Sequence, residues 1–370
     1  MSTDDFFKVA ENQFEVALPF VIYRTPYTNT IKGIFQQNDL VYNSEHLEES
    51  GFVFSPFNSE NNTVLLPLEH SEILTLENPE IASHVTIPNN QKDTFTTEAK
   101  TAHINLVSKA LEAIKKDTFK KVVLSRKETV SLKETNPIVL FQRLLANYSS
   151  AFVYCWYHPK IGLWLGATPE TLLSVTGNRF TTMSLAGTQS FTEQPLWKGK
   201  ETEEQQLVTD FIIDSLQPHV ESLSVGNTET LRAGHLLHLR TKISGILKTK
   251  LSTLVKALHP TPAVCGLPKE VTKQFILNHE NYNREYYTGF LGELNIKEDK
   301  KRNPNRRNVE NNAYHTIKSL TRLYVNLRCM QLTDSKAHLY VGGGITKDSN
   351  PEHEFQETVT KAETMKKVIF

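Results

Sequence analysis

Two stretches of the sequence set carboxylates three residues apart. Glu201 and Glu204 lie in KGKETEEQQLV, and Glu354 and Glu357 lie in SNPEHEFQETVTK, with Lys361 four residues beyond Glu357. On a helix such residues are surface neighbours, and like charges there repel unless a cation or a hydrogen-bond network intervenes. Two acidic faces that met could hold one hard divalent ion through oxygen ligands, which suits Mg²⁺. Spacing alone is equally met by two solvated helix faces. Lys121 opens the apolar stretch KVVLSR. Desolvation at the mouth of a buried strand lowers an ammonium pKa and would make this lysine a base, while a strand-end lysine turned to water is the plainer alternative. Glu170, in GATPETLL, could be kept protonated and serve as an acid, or simply cap a turn.

Further polar residues stand in apolar surroundings. His238 and Thr241 occur in HLLHLRT, where a hydrogen-bonded core histidine is the default reading. Arg328, in VNLRC, reads as a strand residue; buried there, it must meet a carboxylate of the protein or of a ligand. Gly187 in SLAGT and Gly344 in YVGGGI allow a ligand to approach the backbone closely. GGGI matches neither a P-loop nor a dinucleotide fingerprint, so no nucleotide site is read from it.

The elements that must carry these groups follow from periodicity. Strands are predicted in FEVALPFVIYR, IKGIFQQ and GFVFSPF, within an N-terminal portion reaching to about residue 90. The polar TIPNNQKDTFTTEAK separates it from an amphipathic helix, HINLVSKALEAIKKD. KVVLSRKETVSL is strand-like, NPIVLFQRLLANY helical, and AFVYCWYHP and IGLWLGAT are strands. TLLSVTGNRFTTMSLAG folds as a hairpin at Thr176–Arg179, and LWKGKETEEQQLVTDFIIDSLQP is a helix ended by Pro218. Strands follow in ESLSVGNTETL and HLLHLRTKISGIL, then helices near 251–258 and 269–279. The strands YTGFLGELNIK, LTRLYVNLRCMQL and AHLYVGGGI precede the last helix, which Asn350 caps with Pro351 at its first position. KEDKKRNPNRRN reads as a solvated loop. Strands and helices without strict βαβ alternation predict a large α+β protein, with antiparallel sheets and helices packed outside.

The bulk numbers exclude several classes. The chain has 370 residues with 41 basic and 41 acidic side chains, so overall charge gives no reason to bind nucleic acid or a membrane surface. No apolar run of about 18 residues occurs, and the start MSTDDFFKVAENQ is acidic, so neither a membrane span nor a signal peptide is expected. Three scattered cysteines without a CxxC pair fit a reduced, cytoplasmic protein. The 13 histidines show no HExxH spacing.

Taken together, the sequence resembles the chorismate-utilising enzymes. KVVLSR, GATPETLLS, SLAGT, KGKETEEQQLV, HLRT, HPTPAVCGLP, NREYYTGFLG, LRCMQL, YVGGGI and SNPEHEFQETVTK occur in that family's order from Lys121 to the C-terminus. The resemblance implies a single large fold like that of anthranilate synthase component I. Residues 1–95 would be a variable portion of the same globular unit and 96–370 the chorismate-binding catalytic region.

Within that family the sequence looks most like the isochorismate synthases, by two positions. Lys121 stands where ammonia-using members carry glutamine, and Ala186 stands where aminodeoxychorismate synthases carry a nucleophilic lysine. The implied reaction is Mg²⁺-dependent isomerisation of chorismate. Lys121 would activate a water for C2, and Glu170 would protonate the departing C4 hydroxyl. Glu204 and Glu357 would bind the ion directly, with Glu201 and Glu354 holding its waters. Gly187 would offer its N–H to the ring carboxylate and Lys361 would lie near the ion. Tyr287, Arg328 and Gly344 would receive the enolpyruvyl group, and His238 and Thr241 would line the ring pocket. A salicylate synthase, which also eliminates pyruvate, is the alternative; a catalytically dead metabolite-binding relative is a third. The product would feed menaquinone or siderophore synthesis, and a cytoplasmic monomer is expected.

Overall fold

The computed structural model describes residues 1–58, 60–81, 95–233, 236–300 and 316–370. The chain opens with α1 (Thr3–Glu15), which the sequence reading missed. Ser2 caps it by accepting the Asp5 N–H, and Phe6, Phe7 and Ala10 form its buried stripe. Six strands follow: β1 (Phe20–Arg24), β2 (Thr30–Gln36), β3 (Tyr42–Ser44), β4 (Gly51–Ser55), β5 (Thr63–Pro67) and β6 (Ser71–Glu77). The predicted strand over 14–24 is thus a helix end joined to a shorter strand. Next come α2 (Thr97–Lys115), β7 (Lys121–Ser131), α3 (Pro137–Asn147), β8 (Phe152–His158) and β9 (Gly162–Thr168). The middle of the chain forms β10 (Thr171–Thr176), β11 (Arg179–Ser190), α4 (Gly199–Leu216), β12 (Val220–Ala233) and β13 (Leu236–Leu247). It ends with α5 (Leu251–Leu258), β14 (Gly266–Leu267), α6 (Lys269–His279), β15 (Phe290–Lys300), β16 (Thr316–Val325), β17 (Cys329–Thr333), β18 (Lys336–Ile345) and α7 (Pro351–Ile369).

These strands make two nine-stranded antiparallel sheets. One runs β14-β7-β18-β17-β9-β8-β1-β2-β6, the other β12-β13-β11-β10-β16-β15-β4-β5-β3. The alternation of strand side chains shows how the layers stack. In β1 and β8, Phe20, Ile22, Val153 and Cys155 join the core shared with α1, α3 and α7. Their neighbours Val21, Tyr23, Phe152, Tyr154 and Trp156 join an aromatic layer with Phe52, Leu291 and Tyr324 of the second sheet. Phe152 and Tyr324 stack across it with centroids 4.1 Å apart. Strands buried on both faces explain why FVIYR and FVYCWYH carry almost no polar residues. Helices α4 and α5 cover the outer face of the second sheet, and α2 and α6 pack around β7 and β18. The predicted α+β fold with helices outside is observed. The first 80 residues supply edge strands to both sheets.

Three departures from the predicted elements stand out, and the first positions the site. LTRLYVNLRCMQL is two strands in different sheets, broken at Asn326–Arg328. Asn326 pins the break: its Oδ1 accepts from Tyr154 Oη (2.6 Å) and its Nδ2 donates to Tyr286 O (2.9 Å). Residues 297–300 of the predicted basic loop belong to β15, and the rest of that loop lies outside the described residues. Most of the predicted separator at 86–100 also lies outside them; its end, from Thr97, is the first turn of α2.

Beyond the two-residue β14, the edge of β7 has no strand partner among the described residues, and its polar backbone is met in other ways. Val123 donates to Cys265 O (2.7 Å), Arg284 donates to Val123 O (2.8 Å), and Glu280 accepts the Ser125 N–H (2.7 Å). Glu280 and Arg284 are themselves a buried pair at 2.6 Å. No described helix is long and apolar enough to cross a membrane.

Candidate active site

Two of the chain's passages between the sheets run side by side. Pro169-Glu170 carries the chain from β9 to β10, and Asn326-Leu327-Arg328 carries it from β16 to β17. Backbone hydrogen bonds join the two passages: Val325 N to Glu170 O and Ala167 N to Arg328 O, both 3.0 Å. Thr168 Oγ1 adds a bond to Val325 O at 2.6 Å. Glu170 and Arg328 therefore reach the same cavity from neighbouring backbone. Arg328 takes a left-handed conformation, φ +47°, an uncommon state for a non-glycine residue and one that recurs at functional positions.

Of the thirteen residues singled out from sequence, nine line this cavity: Glu170, Gly187, Glu204, His238, Tyr287, Arg328, Gly344, Glu357 and Lys361. They come from both sheets, from the passages between them and from α4 and α7, and run in sequence from Glu170 to Lys361. Gly187 sits at a bulge in β11 with φ +65°, where a Cβ would be 3.1 Å from Glu201 Cβ, so the turn and the close approach of α4 both call for glycine. Gln205 holds α4 there by accepting the Ala186 N–H (2.9 Å).

The glycine run has a comparable reason. A Cβ at Gly344 would fall 2.6 Å from Glu204 Oε1 and 3.1 Å from Lys121 Cε. At Gly343 it would lie 3.4 Å from Glu354 Oε2 and 3.6 Å from Glu357 Oε1. The two acidic helix faces do converge, over a floor kept clear of side chains. Each carboxylate is closed on a lysine: Glu204 on Lys121 (2.8 Å), Glu357 on Lys361 (2.7 Å) and Glu354 on Lys200 (2.8 Å). Lys361 also donates to Gly342 O (2.9 Å). Burial alone would raise the Glu204 carboxyl; Lys121, Lys361 and Lys200 outweigh it and hold the group below the usual range. Burial and the neighbouring Glu357 push Glu354 upward.

Among the described residues no three His, Cys, Asp or Glu side chains form a ready metal site. The donors nonetheless fit a hard cation. They are all carboxylate oxygens, Glu354 Oε2 is buried without a hydrogen-bond partner, and the glycine floor leaves the space a Cβ would fill.

Glu170 is fully enclosed, and burial raises its pKa to about 8 against the opposing pull of Lys121. His238 is neutral: burial first, then Arg328 and Lys361, keep its pKa well below 6.5. Its Nδ1 lies 3.1 Å from Gly187 O and must donate there, which leaves Nε2 to accept from Arg328 Nη2 at 2.7 Å. The imidazole thus ties the β11 bulge to the arginine. Burial lowers the guanidinium only to about 10, so Arg328 stays cationic.

Four expected residues stand off the cavity wall. Lys121 is wholly buried behind Glu204; at 2.8 Å the two are in ionic contact, though off the line of a good hydrogen bond. Thr241 does not line the ring pocket, because its hydroxyl is consumed by Gln205 (3.0 Å) and Thr228 (2.8 Å). Glu201 does not reach the acidic cluster. It is the third residue of α4 and accepts the Lys198 N–H at 3.0 Å, a capping role. Glu354 is not on the cavity wall but lies beside Glu357 at the acidic cluster, its Oε2 3.4 Å from where a Cβ on Gly343 would be. Arg328 lies in the passage between strands, not on a strand as predicted. Sequence reasoning missed Lys200 as the partner of Glu354, since an ion pair between α4 and α7 leaves no local signal.

The chorismate binding enzyme family matches residues 58–300 by one of its models and 317–367 by another. The chain is 29% identical over 276 residues to the salicylate biosynthesis isochorismate synthase of Pseudomonas aeruginosa, covering 71% of this chain and 53% of that protein. It is 29% identical over 285 residues to isochorismate synthase DhbC of Bacillus subtilis, covering 70% and 66%. The chain therefore spans between half and two thirds of these relatives' lengths. Its fold is shared with MenF, the menaquinone-specific isochorismate synthase of Escherichia coli, at TM-score 0.73, 21% identity, 95% of this chain and 89% of that one.

Proposed function

Because the chain belongs to the chorismate-binding enzymes, we propose that it isomerises chorismate to isochorismate, adding a water-derived hydroxyl at C2 as the C4 hydroxyl leaves. The observation that carries this reading is a buried carboxyl neutral at pH 7, Glu170, on the cavity wall, within electrostatic reach of the buried amine of Lys121 behind Glu204. An acid that works near neutral pH needs an environment that raises its pKa from the solution value, and burial does this for Glu170. Glu170 holds its proton until about pH 8 and can give it to a departing hydroxyl. Lys121 touches Glu204, so it can activate water only once that carboxylate turns off it.

A dianionic substrate suits the remaining groups. Arg328, with Tyr287 beside it, would take one carboxylate, its guanidinium steered by neutral His238. The bulged Gly187 N–H would face the other. Glu204 and Glu357, with Glu354 adjoining, would hold Mg²⁺, whose chemistry is to bind and polarise the substrate carboxylate. The alanine at 186 offers no amine for a covalent adduct, which supports water as the nucleophile.

The test is incubation of purified protein with chorismate and Mg²⁺, following isochorismate and pyruvate separately. Isochorismate without rapid pyruvate is expected. Rapid pyruvate release would identify the salicylate-forming reaction instead, and binding of chorismate with no turnover in metal-replete protein would remove the enzymatic reading altogether.

A further inference from the structure

Gln205 follows Glu204 on α4 and is buried, 3% exposed, against the bulge of β11. The register of β11 on β13 slips between Ala186 and Thr188, and at that break the Ala186 N–H donates to Gln205 Oε1 (2.9 Å). The amide nitrogen donates to Ser184 Oγ (2.8 Å) and to Thr241 Oγ1 (3.0 Å). The supply of protons fixes the direction of these bonds. Thr209 spends its hydroxyl proton on Gln205 O (2.9 Å), so Ser184 must donate across its 2.7 Å contact with Thr209, and its oxygen can only accept from the amide. One side chain therefore ties α4 to both β11 and β13. Glu201, one turn earlier on the same face, lies against the bulge, its Cβ 3.1 Å from where a Cβ on Gly187 would be.

We propose that Gln205 is a positioning residue: it sets the distance between Glu204 and the Gly187 N–H, and so makes binding of a divalent ion and of a substrate carboxylate a single event. The role rests on the chorismate-isomerising reading above, in which both groups meet the substrate. Gln205 is not itself on the cavity wall, so it acts only through the two groups it spaces. Thr241 belongs to the same device. Its hydroxyl accepts one of the two amide protons and is braced by Thr228 at 2.8 Å. A glutamate at 205 would keep the bond to Ala186 and lose both donors, setting a carboxylate oxygen against a Ser184 oxygen whose proton is committed to Thr209.

Chorismate binding is measured by calorimetry with and without Mg²⁺ in the slow Glu170→Gln background, and turnover by steady-state kinetics in the otherwise unaltered chain. Gln205→Met, similar in length but without the three bonds, should weaken Mg²⁺-supported chorismate binding about tenfold or more. It should raise KM more than it lowers kcat, since what is lost is binding. The alkaline fall in rate near pH 8 should stay in place, because Glu170 is untouched. Thr241→Val, the milder change, should weaken binding in the same way and keeps the test if Gln205→Met does not fold; Thr241→Ser should restore it. Ile212→Ala, which loses only packing further along α4, should lower the melting temperature and leave binding and KM unchanged. Undiminished binding in Gln205→Met or Thr241→Val, a matching loss in Ile212→Ala, or no recovery in Thr241→Ser would each overturn the role of Gln205 and leave the isomerase reading standing. Absence of chorismate binding by the unaltered protein would overturn both.

Discussion

Replacing Glu170 by glutamine should impair the reaction and stabilise the protein at the same time. The carboxyl has a folded pKa of about 8 against an unfolded value of 4.5. Between these values the folded state holds a proton that the unfolded state has released, so wild-type stability falls as pH rises. The slope is about 1.4 kcal/mol per pH unit. The contribution is fully present below the unfolded pKa and is lost as pH rises to the folded pKa. At pH 7 holding Glu170 neutral costs about 3 kcal/mol, rising to about 5 above pH 8. Glutamine is nearly isosteric and has no proton to lose. Urea unfolding of the two proteins from pH 5 to 9 should therefore show a stability difference that starts near zero, grows with pH in favour of Glu170→Gln, and levels off above pH 8. Turnover of the variant should meanwhile fall by about 10²–10⁴, the usual worth of a positioned acid. A difference independent of pH, or a less stable variant, would mean that Glu170 is ionised in the fold, and the acid role would fail with it.

Other outcomes follow from the same geometry. Wild-type turnover should decline as pH rises past about 8, where Glu170 ionises, as a rate profile on the alkaline side would show. Lys121→Gln should cut turnover by a similar 10²–10⁴ with unchanged circular dichroism. It also removes the charge that pulls Glu170 down, so the levelling-off in the unfolding series should move to higher pH. Chelation by EDTA should abolish activity and added Mg²⁺ restore it, with Glu357→Ala needing more of the ion; persistent activity in metal-free protein would contradict the cluster's role. Gly344→Ala, whose Cβ would sit 2.6 Å from Glu204 Oε1, should lower turnover at least tenfold while the melting temperature moves little, measured by steady-state kinetics and calorimetry.

Much of this was legible wherever the signal was local. The acidic faces of α4 and α7 follow from three-residue spacing, and the cap of α7 is written in Asn350-Pro351, whose Oδ1 accepts the Glu352 and His353 N–H groups (both 3.1 Å). The start of α1 was also written, in Ser2 followed by Asp4 and Asp5 and a Phe6/Ala10 stripe, and was passed over. The break at residues 326–328 could not be seen. Val325 and Cys329 suit a strand equally well, and the left-handed residue between the sheets is an arginine rather than a glycine. Residue type found Glu201 and Thr241 but not their work, since a helix start and a neighbouring amide claim them first. Lys361 beside Glu357 was legible as a local pair, but the lysines that close Glu204 and Glu354 were not, because they come from distant elements.

The two adjoining passages between the sheets carry a lesson about inheritance. The spacing of Glu170 and Arg328 is written in main-chain hydrogen bonds, from Val325 to Glu170 and from Ala167 to Arg328, which any amino acid but proline at those donor positions can supply. Mutational drift in the flanking cores can alter packing without resetting that ruler. New chemistry can then arise by exchanging single side chains along a scaffold whose working distance does not have to be reinvented.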